Sequence, residues 1–333
     1  MSIAPSKIEI SPDLSLSPMG CGTWAWGNKL LWGYDRSMDA ELQAAFNLCL
    51  ENGVTLFDTA DSYGTLQLNG RSEQLLGKFA KAYSGPNQND LAIATKLAAY
   101  PWRLTRNSMI SACQASATRL GRKVDIVQMH WSPVKYFPWQ EGALLDGLAD
   151  LYDRKLVKGV GLSNYGSEAL QRVHQRFSDR GVKIATLQVQ YSLLSTYPVT
   201  ELGVKEICDE LGIKIIAYSP LGLGLLTGKY SENGNLPQGI RGLLFKNLLP
   251  GIKPLLNCLQ AIASSRNKTM SQVAINWCIC KGTIPIPGAK NVAQARQNIG
   301  ALGWHLDAGE IAELDRIAAS LDKKMVQNIF QTK

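Results

Sequence analysis

Short apolar runs alternate along this chain with longer stretches in which apolar residues recur every three or four positions. The short runs are Met19–Thr23, Val54–Asp58, Leu91–Thr95, Asp125–Met129, Gly159–Ser163, Thr186–Gln190, Lys214–Tyr218 and Thr283–Ile286. Most are apolar at nearly every position, the pattern of strands covered on both faces. The longer stretches are amphipathic. Asp39–Asn52 sets Leu42, Ala45, Phe46 and Cys49 on one face at i, i+3, i+4 and i+7, with Ser37 or Asp39 as N-cap. Thr105–Leu120, Pro138–Lys155, Glu168–Arg180, Thr200–Leu211 and Met270–Cys280 repeat the spacing. Strands that alternate with helices pair in parallel, because each helix carries the chain back to the starting edge. Eight such units predict an α/β fold, a closed (β/α)8 barrel rather than an open sheet. Ahead of them, Ile8-Glu9-Ile10 and Leu14-Ser15-Leu16 alternate around Ser11-Pro12-Asp13, which predicts a β-hairpin. No linker or low-complexity segment interrupts the pattern, so one domain over residues 1–333 is expected.

Polar chemistry collects where the predicted strands end. Val54–Asp58 runs into Thr59-Ala60-Asp61-Ser62-Tyr63-Gly64, which sets a carboxylate and a phenol five residues apart. Leu91–Thr95 ends in Lys96, and Asp125–Met129 ends in His130. In a barrel, Asp58, Tyr63, Lys96 and His130 then converge at the mouth formed by the C-terminal strand ends. A nearby ammonium favours a phenolate, so Lys96 is expected to lower the pKa of Tyr63, with Asp58 holding Lys96 charged. A histidine beside them can donate to a substrate oxygen. The set makes a general acid that protonates a carbonyl oxygen as hydride arrives at its carbon.

Asp58-Thr59-Ala60-Asp61-Ser62-Tyr63-Gly64, Lys96, His130 and Gly161-Leu162-Ser163-Asn164 resemble the aldo-keto reductase superfamily. The resemblance continues through Gln188, Tyr218-Ser219-Pro220-Leu221 and Ile286-Pro287-Gly288, and spans the chain from about Gly20 onward. Gly22-Thr23-Trp24-Ala25-Trp26-Gly27, Ala99-Tyr100-Pro101-Trp102-Arg103, Asn276–Gly282 and Gln327–Thr332 are most similar to the pyridoxal reductase branch of plastids and cyanobacteria. The resemblance implies a TIM barrel whose N-terminal hairpin caps its floor. It implies an NADP-dependent oxidoreductase that uses NADPH/NADP+ to reduce aldehydes or ketones, possible substrates including pyridoxal, with Tyr63 as acid and His130 orienting the carbonyl. It implies a cofactor stretched across the barrel mouth. Thr23, Trp24 and Asp58 would border it, Ser163, Asn164 and Gln188 would bind its carboxamide, and Tyr218 would stack on the nicotinamide. Ser219, Pro220, Leu221 and Gly222 would meet the pyrophosphate with Lys229 and Arg241. Lys290 and Gln294 would lie at the adenosine ribose, and Gln297 and Asn298 at the adenine. The substrate would sit among Trp24, Tyr63, Trp102, His130 and Trp131, while Trp26, Trp32 and Trp139 are expected to pack loops and Trp277 to be core.

The chain departs from that pattern in two places. Many relatives carry Ser or Arg where Lys290 stands and Glu where Gln297 stands. Pyridoxal reductases carry Gly and Arg at the positions of Leu66 and Gln67, and without that arginine neutral aldehydes are favoured over anionic ones. Gly222-Leu223-Gly224 lacks the third glycine of a dinucleotide fingerprint, and none follows the first strand, so a Rossmann domain is not expected.

Composition changes this picture little. Hydrophobic residues make up 45% and charged residues 19%, ordinary for a globular protein. A net charge of +8 is spread without a basic block, which favours anionic small molecules over nucleic acid. No apolar stretch reaches membrane length, and Met1–Lys7 lacks a signal core, with Glu9 and Asp13 soon after. Seven scattered cysteines argue for reduced thiols, so a cytoplasmic protein is expected, with no structural metal. Oligomeric state is left open, a monomer included. Two alternatives stay open. One is a cofactor-binding regulatory subunit, the role this fold serves on potassium channels. The other is a Schiff base on Lys96, disfavoured because Asp58 is expected to raise the lysine pKa.

Overall fold

The computed structural model describes residues 7–66, 69–232, 234 and 236–333, with the backbone alone at 240. Two short strands open it, β1 (Ile8–Ser11) and β2 (Leu14–Leu16), paired antiparallel. Eight parallel strands follow: β3 (Gly20–Gly22), β4 (Leu56–Asp58), β5 (Ala92–Leu97), β6 (Ile126–Met129), β7 (Gly159–Ser163), β8 (Ile184–Gln190), β9 (Lys214–Tyr218) and β10 (Ile284–Pro285). Each pairs with the next in sequence. The last returns to the first: Gly22 N–H donates to Pro287 O at 3.2 Å, and Gly22 bridges Gly288 in parallel. The expected (β/α)8 barrel is therefore closed, and each predicted strand is present to within two residues. Lys96 is the main displacement, lying inside β5 rather than past its end.

Inside the barrel, Leu14 and Leu16 of the hairpin pack against Leu56, Ala92, Ile126, Ile216 and Ile284 from the strands. Ser17 Oγ accepts from the N–H groups of Thr55 and Leu56 at 3.0 and 3.2 Å and donates to Met19 O at 2.6 Å, which fastens the plug. The hairpin thus fills the floor, the end away from Asp58 and His130. Outside the strands, a larger core joins the sheet to its helices through Phe46, Phe57, Phe79, Leu148, Leu162, Phe177, Leu187 and Trp277.

The predicted helices are found at Asp39–Glu51, Arg106–Leu120, Pro138–Asp153, Ser167–Ser178, Val204–Leu211 and Met270–Cys280. Among the described residues, three more helices longer than eight residues were not predicted. Arg71–Ala82 starts after a left-handed glycine, Gly70, with no side-chain cap to announce it. Ala308–Ser320 carries a capping box, Asp307 with Glu310, that was legible in the sequence. Ile240–Ser265 contains Pro250 and Pro254, which read as breakers. Burial of Phe245, Leu248, Leu249, Ile252, Leu255 and Leu259 along that helix offsets the lost backbone bonds. Among the described residues no helix is long and apolar enough to cross a membrane.

Candidate active site

The barrel mouth is floored by a polar layer. Register sets it: Asp58 ends β4, Lys96 lies opposite Gln128 across β5 and β6, and Gln188 lies opposite Ser163 across β7 and β8. Lys96 Nζ and Asp58 Oδ1 form an ion pair whose side chains are 1% and 2% exposed. Asp58 Oδ2 accepts from Gln188 Nε2 at 2.8 Å and Gln128 Nε2 at 3.1 Å. Three side chains from three other strands thereby satisfy one buried carboxylate, as burial of a charge requires.

The turn after β4 brings Tyr63 over this layer. Asp61 N–H donates to Lys96 O at 3.0 Å, Asp61 Oδ1 accepts from Ala98 N–H at 3.2 Å, and Arg103 pairs with Asp61 at 2.6 Å. Lys96 Nζ lies 4.9 Å from the centre of the Tyr63 ring, and the His130 ring meets that ring edge-on at 5.8 Å. His130 follows β6, its Nδ1 3.3 Å from Ser62 Oγ and its carbonyl bonded by Asn164 Nδ2 at 3.1 Å.

The electrostatics differ from the sequence expectation. Burial, with Asp58 second, pushes the Tyr63 phenol well above its ordinary value. Lys96 does not lower it on balance, because Asp58 neutralises the ammonium at contact and the site excludes water. Burial also pulls Lys96 below the usual lysine range, outweighing Asp58, Asp61 and Glu73, which favour its charge. Asp58 thus raises Lys96 as expected but does not decide the net direction, and an amine whose side chain is 1% exposed and paired with a carboxylate is a poor nucleophile for a Schiff base. Burial and the Lys96 charge hold His130 well below the ordinary histidine value, so its imidazole is neutral.

Above this layer opens a cavity of about 860 Å³. Among the residues expected to act, Asp58, Tyr63, Lys96, His130, Thr23, Trp24, Trp131, Ser163, Asn164, Gln188, Tyr218, Ser219, Pro220 and Leu221 all line it, as do Lys229, Arg241, Lys290, Gln294, Gln297 and Asn298. Asn164 and Ser219 have left-handed φ values of 63° and 54°. For a serine that conformation is strained. Gly222 and Trp102 lie outside. Gly222 sits in a left-handed turn with its missing side chain aimed at Leu194 and Met325. Trp102 is 71% exposed and stacks on Tyr100 at 4.5 Å, outside the lining. Trp26 is buried between Phe57 and Phe79, and Trp277 is core, as expected. Trp32 does more than pack a loop, since it lines the cavity with Arg241 4.5 Å above its ring and Lys290 Nζ 5.7 Å away. Gln67 lies outside the described residues, and its neighbour Leu66 is exposed.

A model of the aldo/keto reductase family matches residues 18–319. The chain belongs to the aldo/keto reductase family. It is 56% identical over 330 residues to the chloroplastic pyridoxal reductase of Arabidopsis thaliana, covering 98% of this chain and 90% of that protein. Its fold resembles that of a glycerol dehydrogenase from Gluconobacter oxydans (TM-score 0.80, 23% identity, 99% and 100% of the two chains). It also resembles an aldo/keto reductase from Klebsiella pneumoniae crystallised with NADP and acetate (TM-score 0.70, 24% identity, 94% and 95%).

In this aldo/keto reductase, several cavity residues escaped sequence reasoning. Gln128 joins Gln188 on Asp58. The C-terminal segment supplies Met325, Val326, Asn328 and Phe330. Asn328 Nδ2 donates to the Tyr218 hydroxyl at 2.9 Å, and that hydroxyl donates to Asn164 Oδ1 at 2.8 Å. Phe330 stacks on Trp131 at 4.5 Å. The segment is tied down by Met325 N–H to Leu194 O at 2.9 Å and Thr332 N–H to Asn164 O at 3.0 Å. Nothing local in its sequence marks these roles.

Proposed function

We propose that this chain is an NADPH-dependent reductase of aldehydes, with Tyr63 as general acid, and that pyridoxal is among its substrates. The observation that carries the proposal is a protonated phenol set beside a buried ion pair at the bottom of a cavity rimmed by three cations. Lys229, Arg241 and Lys290 line that rim, and among the described residues no carboxylate pairs with them. Burial and its two cationic neighbours draw the Lys290 pKa down. Arg241 Nε is buried without a partner. A polyanion of the size of a phosphorylated dinucleotide relieves both, so the residues present fit NADPH.

NADPH, when bound, supplies hydride from its nicotinamide. The chain's own groups do the rest. The Gln188 amino group is committed to Asp58 and Gln128, so its carbonyl oxygen is left as an acceptor for the carboxamide, beside Ser163 and Asn164. Tyr218, pinned by Asn328 and Asn164, offers a fixed face to the ring. Ser219, Pro220 and Leu221 with Lys229 and Arg241 are assigned to the pyrophosphate, Lys290 and Gln294 to the ribose phosphate, and Gln297 and Asn298 to the adenine. Tyr63 keeps its proton until the carbonyl oxygen gains negative charge. The phenolate then formed faces the Lys96 ammonium. Trp24, Trp131 and Phe330 give flat apolar walls suited to an aryl aldehyde.

The name of the Arabidopsis relative supports pyridoxal, and the NADP in the Klebsiella crystal supports the cofactor. The test is consumption of NADPH against pyridoxal, pyridoxal phosphate and simple aryl aldehydes, with NADH as the comparison. Turnover of aryl aldehydes without pyridoxal rejects that substrate. Tight NADPH binding with no turnover on the whole panel rejects the reductase and restores the regulatory-subunit alternative. We also propose a reducing compartment, the cytoplasm, supported by seven free thiols. The relative's name places that protein in the chloroplast, so a fluorescent fusion seen in an organelle would overturn the cytoplasmic part.

A further inference from the structure

Ser62 precedes Tyr63 and lines the cavity, and its Oγ lies 3.3 Å from His130 Nδ1. Among the described residues, His130 Nε2 makes no hydrogen bond to a protein group, and His130 borders the cavity. The ring is wedged in place, edge-on to Tyr63 at 5.8 Å and tilted against Trp131 at 4.8 Å. A neutral imidazole carries one N–H, and the hydrogen bond at one nitrogen decides which nitrogen holds it.

We propose that Ser62 is a positioning residue: its hydroxyl donates to His130 Nδ1 and so fixes the tautomer that presents Nε2–H to the cavity. The opposite arrangement, Nδ1–H donating to Ser62, would aim the Nε2 lone pair at the place an incoming carbonyl oxygen must occupy. Two electron-rich atoms would then face each other in a site shielded from water, where such repulsion is strong. The neutral state that makes the choice of tautomer matter follows from burial and from the Lys96 charge.

For catalysis this inference rests on the reductase reading above. There, Tyr63 O–H and His130 Nε2–H become two donors converging on one oxygen, a preorganised site for the charge that develops as hydride arrives. The tautomer itself belongs to the chain alone and is read without substrate or cofactor.

Nitrogen NMR of the labelled protein without cofactor, near neutral pH, reads the tautomer directly. The chain has three histidines, so the His130 signals are identified by their loss in His130→Gln. The expected result is an Nε2–H tautomer in the wild type, a mixture in Ser62→Ala, and recovery in Ser62→Thr. With NADPH and benzaldehyde, Ser62→Ala should lose about five- to tenfold in kcat, the worth of one hydrogen bond, with NADPH affinity unchanged and with rescue by Ser62→Thr. An Nδ1–H tautomer in the wild type, or identical tautomers in wild type and Ser62→Ala, overturns the proposal. An Nε2–H tautomer that Ser62→Ala scrambles, in a protein that reduces no carbonyl, supports the Ser62 assignment and sinks the reductase reading instead.

Discussion

Tyr63 holds its proton because nothing nearby takes it away. The Lys96 ammonium, which alone would stabilise a phenolate, is already matched by Asp58. Tyr63→Phe should therefore cost roughly 10²- to 10⁴-fold in reductive kcat, the range for a lost general acid, while NADPH affinity measured by fluorescence titration stays within about twofold. The same electrostatics shape the pH profile. A phenol raised well above 10 stays protonated through the neutral and mildly alkaline range, and a histidine held well below 6.5 stays neutral there. kcat/KM for reduction should then show no inflection near the ordinary histidine pKa, and a step there in stopped-flow rates would contradict the site as described. Linkage gives the matching sign for stability. Below about 6.5 the unfolded chain protonates this histidine while the folded chain does not, so stability falls as pH drops towards the lower folded value. His130→Gln should flatten that part of a melting-temperature profile. Asp58, Tyr63, Lys96 and His130 were legible as a set from strand-end positions, whereas the balance of burial against charge that fixes their protonation was not.

Elements bring together what the chain keeps apart. The loop after β9 supplies Lys229, the first turn of the helix Ile240–Ser265 supplies Arg241, the turn after β10 supplies Lys290, and the segment after β3 closes over them with Trp32. Trp32 read as loop packing because no local pattern shows which cations lie across from it. Replacing Lys290 by Met should leave kcat with saturating NADPH near normal and raise KM for NADPH about tenfold or more, with little change for NADH, measured by initial rates. Equal losses for both cofactors would remove Lys290 from the phosphate. The C-terminal segment acts at the same scale. Asn328 pins Tyr218 across 110 residues of sequence. Asn328→Ala should weaken NADPH binding by roughly five- to tenfold, one hydrogen bond's worth, and leave thermal stability within about 1 kcal/mol of wild type. Titration of the purified variant checks the first part and urea unfolding the second. Ile240–Ser265 shows the limit of local signals, since its two prolines argue against the helix that its buried apolar face imposes.

The whole molecule is a cylinder stoppered at one end and chemically armed at the other. Its closure depends on glycine at position 22, where a Cβ would stand 2.8 Å from Ile286 O. A backbone oxygen cannot step aside as a side-chain tip can. Gly22→Ala should therefore destabilise the fold by about 1–3 kcal/mol, read by urea unfolding, and lower activity further by shifting the adjacent rim. The floor hairpin was expected to cap the barrel, and its leucines do fill the interior from below. That left the upper layer free to be polar, and Asp58, Lys96, Gln128 and Gln188 occupy it.

Local information sufficed for the periodic parts of this protein. Alternation of buried strands and amphipathic helices, one covered on both faces and the other on one, dictates a parallel barrel whatever the distant contacts are. Strand ends carrying ionisable groups then fall at one mouth by geometry alone. Tertiary structure decided the remainder: that Lys96 lies within its strand and yields to burial, that Gln128 and Asn328 serve the site, and that Trp32 faces two cations. Each depends on dielectric surroundings or on groups remote along the chain, and neither is encoded in the spacing of neighbouring residues.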